Sequence, residues 1–446
     1  MVGIFGMYAF DENWEIARFV YFGILGCQNR GQENAGIATF DGEKLCRFAD
    51  KGMVEEAFKN DEIFKGLPGW CGIGGVSAFT AENNDFIPPM FSERGNVAVS
   101  MNGKIINCKE IDPQLSEKTH GDMKIVANLL EKSLEKNDSV NAMKEVMEKI
   151  RGAYSLVALN KKGDMIIARD PHGIRPLVIG GHGFDLGVIS SESAALDVTG
   201  SDLSRDVKPG EIFVFEPHSI EKDDQTFKNR NTHYCAFEWV YYARPDSIIN
   251  DIHVHEVRYK IGEILAKENP VEGVDVVIAV PETAFPFAMA YSKVTGIPID
   301  LGFVRTGRHL RTAIKPTQIE RIIGVQLKLN PIRNAVRGRK VVLIDDSVVR
   351  GSTLRNTVYL LKKRGAKEVH VRIGSPHLIA PCPFGLDVPS QDELIAKHNT
   401  EEEIAQIVGA DTFAYLSIKG LCKAIGMPQE KLCLGCFREK YPVYDY

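Results

Sequence analysis

The chain has 446 residues and a formal net charge of -5, with 44% hydrophobic and 25% charged residues. This length predicts two or three domains, and the composition is that of an ordinary soluble globular protein. The acidic balance argues against a nucleic-acid partner, and no apolar run approaches the length of a membrane span. The first ten residues lack a basic segment, so we expect no secretory signal and a cytoplasmic protein. The nine cysteines, an odd count, favour a reduced compartment.

The first half of the chain combines short strand patterns with two long helical patterns. A strand is predicted from Val2 to Phe10 and a helix over Asp11–Gly26, with Asp11 as its cap. Further strands are predicted at Ala35–Phe40, Lys44–Ala49, Gly72–Ser77, Val97–Ser100, Tyr154–Leu159, Met165–Asp170, Leu186–Ser190 and Glu211–Phe215, and helices at Gly121–Lys136, Ser139–Arg151 and Glu192–Asp197. This order indicates an α+β layered domain. The polar stretch Glu216–Tyr234 is interpreted as the connection to a second domain.

The second half alternates helix and strand in the way that is typical of a doubly wound α/β domain. Helices are predicted at His255–Lys267 and Phe285–Thr295, with a strand at Asp275–Val280 between them. A further buried strand, Val341–Ile344, precedes a helix at Leu354–Arg364. In such a sheet the loops gather at the carboxyl edge of the strands, where ligands bind.

The residues that follow the last of these strands can hold a sugar phosphate. Asp345 and Asp346 come directly after the apolar run, and a short hydroxyl-rich loop leads into the helix. Loop N–H groups and the helix N-terminus face an anion, and Gly351 lets the backbone approach closely. The two carboxylates can accept from ribose hydroxyls or help to place Mg²⁺, which prefers oxygen ligands. An isolated acidic pair more commonly belongs to a solvated turn. The succession of apolar strand, acidic pair and hydroxyl-rich loop is what favours a binding site here.

The pattern DDS-x-x-R-G-[ST]-T resembles the phosphoribosyl pyrophosphate (PRPP) loop of type I phosphoribosyltransferases. The resemblance implies that PRPP contacts eight residues, which are Asp345, Asp346, Ser347, Arg350, Gly351, Ser352, Thr353 and Arg311. It also implies that Mg²⁺ is held near the pyrophosphate by Thr283, Asp345 and Asp346. Arg311 lies in a basic segment, 304–333, that corresponds to a lid over PRPP in the family.

Motifs in the first half resemble the glutaminase domain of glutamine phosphoribosylpyrophosphate amidotransferase. They are QNRGQENAGI at 28–37, MNG at 101–103, GAYSLVAL at 152–159, RDPHGIRPLVIG at 169–180, SSESAALD at 190–197 and RDVKPGEI at 205–212. With CAFEWVYYARPDS at 235–247, the resemblance covers nearly the whole chain. It implies an Ntn-hydrolase-like αββα sandwich over residues 1–230, followed by an α/β type I phosphoribosyltransferase domain over residues 231–446.

The glutaminase motifs depart from the family at the positions that carry its chemistry. The family uses a cysteine directly after the initiator Met as its nucleophile, and this chain has Val2 there. Ser77 replaces the arginine that clamps the glutamine carboxylate, whereas Asn102 and Gly103, which match the family's oxyanion hole, are retained. We therefore predict that glutamine hydrolysis is lost. Cys27 is the alternative nucleophile, although the sequence shows no base for it.

Four of the nine cysteines fall where iron–sulfur members of this family place their ligands: Cys235, Cys382, Cys433 and Cys436. The last two form a C-x-x-C, which alone fits a redox pair, half of a zinc site or coincidence. Four thiolates suit a [4Fe–4S] cluster, and a Cys₄ zinc site is the competing interpretation. The resemblance favours the cluster, with the structural role of tying the C-terminal tail to both domains.

Three functions are compatible with these motifs. The first is a glycosyltransferase that moves the phosphoribosyl group of PRPP to ammonia, giving 5-phosphoribosylamine for purine synthesis. The second is the same scaffold with another amine as acceptor, which the divergent stretch Arg305–Leu310 keeps open. The third is a non-enzymatic paralogue that binds PRPP or nucleotides and regulates a partner. The resemblance further implies a homo-oligomer with purine nucleotides as inhibitors.

Overall fold

A computed structural model describes residues 1–79, 81, 83–118, 120–217, 219–227, 231–305, 329–386 and 388–442. Most of the predicted lid, including Arg311, and the predicted domain boundary at residue 230 lie outside the described residues. Within these ranges, no helix combines the length and the apolar content that a bilayer crossing requires.

Two antiparallel sheets form the centre of the first half. The seven-stranded sheet has the order β11-β9-β10-β1-β4-β2-β3, and the six-stranded sheet has the order β13-β12-β8-β7-β6-β5. In chain order these strands are β1 Val2–Ala9, β2 Asn34–Phe40, β3 Leu45–Lys51, β4 Cys71–Ser77, β5 Met90–Phe91, β6 Val97–Ile105, β7 Gly152–Asn160, β8 Met165–Arg169, β9 Val178–His182, β10 Leu186–Ser190, β11 Asp202–Asp206, β12 Ile212–Glu216 and β13 Ser219–Asp223.

Helices cover the outer faces of the two sheets. Ala17–Gly26 packs on the seven-stranded sheet, and Gly121–Ser133 with Ser139–Lys149 covers the six-stranded one. Shorter helices lie at Val54–Ala57, Glu62–Lys65, Cys108–Ile111, Pro113–Ser116 and Ala194–Val198. Side chains of β1 alternate, so that Ile4 enters the core between the sheets and Phe5 the core beneath the first helix. The αββα sandwich predicted from the sequence is therefore confirmed.

Two local predictions in this half were wrong. The first helix begins at Ala17 instead of Asp11, because the Asp11 carboxylate accepts from Asn13 N at 3.0 Å and holds a tight turn. The stretch interpreted wholly as a connector begins with strand β13, which pairs with β12 and carries Asp223 into an ion pair with Lys144. Its polar residues suit this strand because it lies at the exposed edge of its sheet.

A four-stranded parallel sheet, in the order β17-β20-β21-β22, forms the centre of the second half. The remaining strands are β14 Tyr234–Cys235, β15 Ile248–Ile249, β16 Ile252–His253, β17 Val276–Ala279, β18 Phe303–Val304, β19 Asn330–Pro331, β20 Lys340–Asp345, β21 Glu368–Ile373, β22 Thr412–Tyr415 and β23 Leu432–Cys433. The described helices are Glu238–Tyr242, Val254–Glu268, Phe285–Thr295, Arg333–Val336, Ser352–Lys363, Ile395–His398, Glu401–Val408, Ile418–Ile425 and Gly435–Arg438. Helices and hydrophobic cores lie on both faces of this sheet, which confirms the α/β prediction.

Candidate active site

The acidic loop lies at the carboxyl end of β20, at the edge where a doubly wound sheet binds its ligands. The Asp346 amide donates to the Asp345 carboxylate at 2.9 Å, and the Ser347 hydroxyl donates to the Asp346 carboxylate at 2.7 Å. Gly351 has a φ of 74° and precedes the helix Ser352–Lys363, whose free N–H groups then face the loop. A side chain at Gly351 would be strained and would meet Ile395. The loop therefore has the shape of an anion cradle.

The two carboxylates of this loop share a buried site. Burial, and then the charge of Asp346, holds the pKa of Asp345 well above its usual range. Burial also raises the pKa of Asp346 to about 6, against hydrogen bonds from Ser347 and Thr283 that lower it. The Thr283 hydroxyl thus lies beside the acidic pair, as the sequence predicted. Two crowded carboxylates and a hydroxyl form an oxygen-rich set that fits a hard cation such as Mg²⁺.

Arg258 is a residue of this site that sequence analysis missed. Its guanidinium is buried and donates to the carbonyls of Trp239 at 3.0 Å and Ala243 at 2.7 Å. Burial lowers its pKa to about 10, opposed first by the charge of Asp346. A fixed positive charge therefore lies behind the acidic pair. Its position within a helix gave no sign of this role.

The basic residues predicted for PRPP are only partly described. Arg350 forms an exposed ion pair with Glu393 at 2.6 Å, and Arg311 lies outside the described ranges. Arg305, at the start of the predicted lid, lies 3.7 Å from the Glu282 carboxylate beside Thr283. The structure thus brings the acidic pair and Thr283 together, while the PRPP contacts of Arg350 and Arg311 stay predictions.

The second region of interest lies between the sheets of the first half, at the start of β1. Val2 is 2% exposed and stands opposite Ser77 of β4. The Ser77 hydroxyl lies 2.7 Å from His120 Nε2 and also accepts from Phe79 N. Burial lowers the pKa of His120 to about 4, so this imidazole is neutral. A serine–histidine hydrogen bond thus lies at the position where the motif resemblance predicts the loss of the carboxylate clamp.

Asn102 and Gly103 are retained on β6, near the domain interface. Gly103 has a φ of 129°, and a side chain there would collide with the carbonyl of Ala153 on the neighbouring strand. The carbonyl of Gly103 lies against Gly385 of the second half, because a Cβ at Gly385 would come within 2.8 Å of it. The retained residues therefore border the phosphoribosyltransferase half.

Cys27 has the environment of an inert thiol. It is completely buried, and burial raises its pKa to about 11. Its sulfur lies 3.6 Å from the Ile4 carbonyl and 3.4 Å from the Ser190 hydroxyl. These neighbours do not remove a proton, so the thiolate that a nucleophile needs is disfavoured.

The four predicted cluster ligands gather at the domain interface. Cys235 of β14 stands directly opposite Cys433 of β23 in a parallel pair, and Cys436 follows in the next helical turn. Cys382 joins them, since its charge acts on the thiols of the other three. All four are free of disulfides. Burial, and then the neighbouring Cys382, raises the pKa of Cys433 to about 12.

Within the described ranges, no group of three or more His, Cys, Asp or Glu side chains stands close enough together to hold a metal ion. The iron–sulfur cluster and its competitor, a Cys₄ zinc site, therefore both stay predictions.

A buried ion network joins the two halves. Arg30 donates to Glu192 at 2.8 Å within the first half and to Glu238 of the second half at 2.9 Å. Arg175 adds a second contact to Glu238 at 3.3 Å and donates to the Phe384 carbonyl. The side chains of Arg30, Glu192, Glu238 and Arg175 are at most 1% exposed. Sequence motifs contained these residues but gave no indication of their pairing.

Comparisons with known proteins agree with this architecture. Residues 81–198 match the glutamine amidotransferase domain family, and residues 251–380 match the phosphoribosyl transferase domain family. The amidophosphoribosyltransferase of Methanocaldococcus jannaschii is 40% identical over 99% of this chain and 98% of its own. The Archaeoglobus fulgidus amidophosphoribosyltransferase is 41% identical over 99% of this chain and 98% of its own. The Bacillus subtilis enzyme is 38% identical over 100% of this chain and 94% of its own.

Solved structures give the same result. Glutamine PRPP amidotransferase from B. subtilis, complexed with ADP and GMP, superposes with a TM-score of 0.88 at 37% identity and covers 99% of this chain and 97% of its own. A structure described as the allosteric regulatory enzyme of purine biosynthesis superposes with a TM-score of 0.89 at 36% identity. It covers 100% of this chain and 97% of its own.

Fold and site together define a phosphoribosyltransferase joined to a glutamine amidotransferase domain. The chain belongs to the amidophosphoribosyltransferase family, as the sequence motifs predicted. This membership confirms the prediction of a glycosyltransferase and does not favour a non-enzymatic regulator or another amine acceptor.

Proposed function

We propose that this protein transfers the phosphoribosyl group of PRPP to free ammonia, giving 5-phosphoribosylamine for purine synthesis, and does not hydrolyse glutamine. The observation that carries the proposal is the contrast between these two regions of the molecule. The acidic loop around Asp345 and Asp346 is complete, whereas Val2 and the Ser77–His120 pair occupy the positions of the glutaminase nucleophile and its clamp.

The transfer needs positioning more than acid–base chemistry. The ammonia nitrogen forms a bond to ribose C1, the bond from C1 to the pyrophosphate oxygen breaks, and the new amine releases a proton to solvent. Charge builds up on the leaving group as a cation-like sugar forms, so oriented donors and cations lower the barrier. The loop from Asp345 to Thr353 supplies the orientation.

The residues that would hold Mg²⁺ are Asp345, Asp346 and Thr283. When bound there, Mg²⁺ neutralises charge on the pyrophosphate leaving group. In this proposal the two carboxylates also accept from ribose hydroxyls, and Arg258 moderates their mutual repulsion from behind.

The four cysteines at the domain interface would hold a [4Fe–4S] cluster. Four free thiols that interact with one another at the domain interface support this assignment. The cluster's contribution is structural, because binding energy at a site that forms only in the folded state is folding energy. Cys433 and Cys436 would anchor the C-terminal segment to β14.

The proposal also covers the domain division, inhibition by nucleotides, and the oligomeric state and location of the protein. We divide the chain into residues 1–230, an inactive glutaminase-like domain, and residues 231–446, the phosphoribosyltransferase domain with its cysteine cluster. Purine nucleotides act as inhibitors in this proposal, in line with the ADP and GMP of the B. subtilis structure. The protein works as a homo-oligomer in the cytoplasm.

The test is pyrophosphate release from PRPP with glutamine, with ammonia, or with a panel of other amines. We expect release with ammonia and only background with glutamine. Asp346→Asn removes a charged acceptor and is expected to reduce release at least tenfold. Asp61→Asn, at a carboxylate that is 79% exposed, is the matched control. Equal turnover of Asp346→Asn and the unmodified protein would show that the site lies elsewhere.

A further inference from the structure

A cavity of about 380 Å³ lies in the second half, where the segments that follow β21 and β22 meet the end of the helix Val254–Glu268. A volume of this size is within the range of about 300–1,000 Å³ that small-molecule sites occupy. Among the described residues that line it, none belongs to the acidic loop Asp345–Thr353. We call it the edge cavity; its polar lining comprises Glu268, Asn269, His377, Glu401, Tyr415 and Ser417.

A buried hydroxyl in the wall of the edge cavity has no hydrogen-bond partner. Tyr415, the last residue of β22, is 4% exposed, and its hydroxyl is unpaired within the described chain. The ring of His377 covers the Tyr415 ring, with 4.1 Å between the ring centroids. Burial, and then the charge of Glu401, raises the pKa of Tyr415, so the hydroxyl keeps its proton. Buried hydroxyls are nearly always paired, so an unpaired one in a cavity wall indicates an occupant.

Two carboxylates stand side by side along the outer edge of β22, which is the last strand of its sheet. The Leu416 amide continues the ladder with β21 at 2.9 Å, so the amides of Tyr415 and Ser417 point to the opposite, outer edge. Glu401 accepts from the first of these amides at 3.1 Å, and Glu268 accepts from the second at 2.9 Å. Amides two residues apart in an extended chain are about 7 Å apart, so the carboxylates have a similar separation.

The edge cavity keeps an excess of negative charge. Of the described residues in its lining, two are carboxylates and none is Lys or Arg. His377 Nε2 lies 3.5 Å from a Glu401 carboxylate oxygen, but burial lowers the pKa of His377, so the ring is neutral above pH 7. The nearby Arg372 does not line the cavity and donates to the carbonyls of Asn269 and Val371 at 2.9 and 2.7 Å. One cation cannot balance two carboxylates.

We propose that the edge cavity binds a short alkyl diamine in its doubly protonated form. One ammonium group donates to Glu401 and to the hydroxyl oxygen of Tyr415, and the other donates to Glu268, since each ammonium has three donors. Hydrogen bonds between ammonium and carboxylate are charge-assisted and strong. The alkyl chain lies against the apolar part of the lining, which includes Ile418 and Phe437. The site is separate from the acidic loop, so this inference goes beyond the proposed transferase reaction.

The test is isothermal titration calorimetry on the full chain near neutral pH with 1,4-diaminobutane. The matched ligand is n-butylamine, which has the same chain and a single ammonium group, at the same ionic strength. We expect one diamine per chain, bound about tenfold more tightly than n-butylamine, because only the diamine reaches both carboxylates. The thermal midpoint of the protein is expected to rise with the concentration of the diamine.

Four variants locate the bound amine. Glu401→Gln is expected to weaken diamine binding about tenfold, and its amide oxygen can still accept from the Tyr415 amide. Glu268→Gln is expected to reduce the affinity for the diamine to that for n-butylamine. Tyr415→Phe removes only the unpaired hydroxyl and is expected to weaken binding about fivefold. Glu402→Gln is the matched control, because this exposed carboxylate lies one residue along the same helix and outside the cavity lining.

The outcomes decide the proposal without any turnover. Absence of both binding heat and a rise in the thermal midpoint at millimolar 1,4-diaminobutane would overturn it. Equal affinities for the diamine and n-butylamine, or equal losses in Glu401→Gln and Glu402→Gln, would also overturn it, because the amine would then be responding to surface charge alone. If Glu401→Gln does not fold, Tyr415→Phe decides the question. Each of these failures would leave the transferase function standing, since pyrophosphate release is measured separately.

Discussion

Val2 stands directly opposite Ser77 in the antiparallel pairing of β1 with β4. By the motif resemblance, these two positions correspond to the family's nucleophile and its carboxylate clamp, so the two predicted replacements face each other in one cross-strand pair. The ring of His120, the residue just before the helix Gly121–Ser133, forms a hydrogen bond with the Ser77 hydroxyl. The two replacements that predict the loss of glutamine hydrolysis therefore lie at a single point in the sheet.

The first prediction follows from this pair. Glutamate release from glutamine by the unmodified protein is expected to stay at background, with or without PRPP. Val2→Cys alone is expected to recover little, because without the clamp the amide carbon is not held for attack. Val2→Cys with Ser77→Arg is expected to recover more, since an arginine can bind a carboxylate through two hydrogen bonds.

The matched control for this series is Val2→Ala with Ser77→Arg, which restores the clamp without a nucleophile and is expected to stay at background. Release of glutamate by the unmodified protein at an ordinary enzymatic rate would contradict the prediction. Cys27→Ala would then be the next variant to assay, although the burial of this thiol argues against it.

The second prediction concerns pH. Burial raises the pKa of Asp346 to about 6, and a protonated carboxyl is a poor ligand for Mg²⁺ and a poor acceptor. We expect the KM for PRPP at fixed Mg²⁺ to fall as the pH rises through about 6 and to level off above it. Asp346→Asn is expected to lose this dependence.

The same carboxyl has the opposite effect on the stability of the ligand-free protein. The unfolded chain loses this proton near the ordinary value of 3.8, and the folded protein only near 6. The stabilisation that the protonated form contributes is therefore present at low pH and is lost as the pH rises through about 6. For the kinetic prediction, a KM for PRPP that rises as the pH rises through about 6 would contradict the placement of Asp346 in the PRPP site.

The third prediction concerns the four cysteines. Anaerobically purified protein is expected to be brown and to contain about four iron atoms per chain. Cys433→Ser is expected to lose the colour and to lower the thermal midpoint strongly, because cluster binding contributes to folding. Cys422→Ser, at another buried cysteine of the same hydrophobic core, is expected to keep both iron and colour. Colourless protein with stoichiometric zinc would refute the cluster.

The fourth prediction concerns the interface between the halves. Glu238→Ala leaves Arg30 and Arg175 buried without their shared carboxylate, so we expect the free energy of unfolding to fall by about 3–5 kcal/mol. Asp246→Ala breaks a half-exposed pair with Arg244 and is expected to cost about 1 kcal/mol or less. Equal losses in urea-induced unfolding would show that the network does not join the two halves energetically.

The sequence predicted the parts of this protein that depend on local pattern. The strand that ends at Asp345 and the loop through Gly351 were correctly placed because buried strands and glycine-containing loops have short-range signals. Thr283 was singled out by its resemblance to a family motif, and the structure places its hydroxyl within hydrogen-bonding reach of Asp346. The domain boundary and the PRPP contacts of Arg350 and Arg311 stay predictions.

Contacts between distant segments could not be predicted in this way. Arg258 lies in the middle of a helix, and its role depends on where that helix packs. His120 meets Ser77 across two layers of the sandwich, and Arg30 meets Glu238 across the domain interface. These pairings depend on tertiary packing, which residue periodicity does not encode. The Asp11 error has a local cause, since an aspartate that caps a turn looks like one that caps a helix.

The pairing of β14 with β23 sets the order in which the protein can be completed on the ribosome. Cys235 is synthesised almost two hundred residues before Cys433, which stands opposite it in this parallel strand pair. At about 5–20 residues per second, synthesis separates the two by roughly ten to forty seconds. A chain that lacks the segment around Cys433, through early termination or proteolysis, keeps Cys235 and Cys382 but cannot form the β14–β23 strand pair. The pairing of β14 with β23 therefore forms only after the segment around Cys433 has been synthesised.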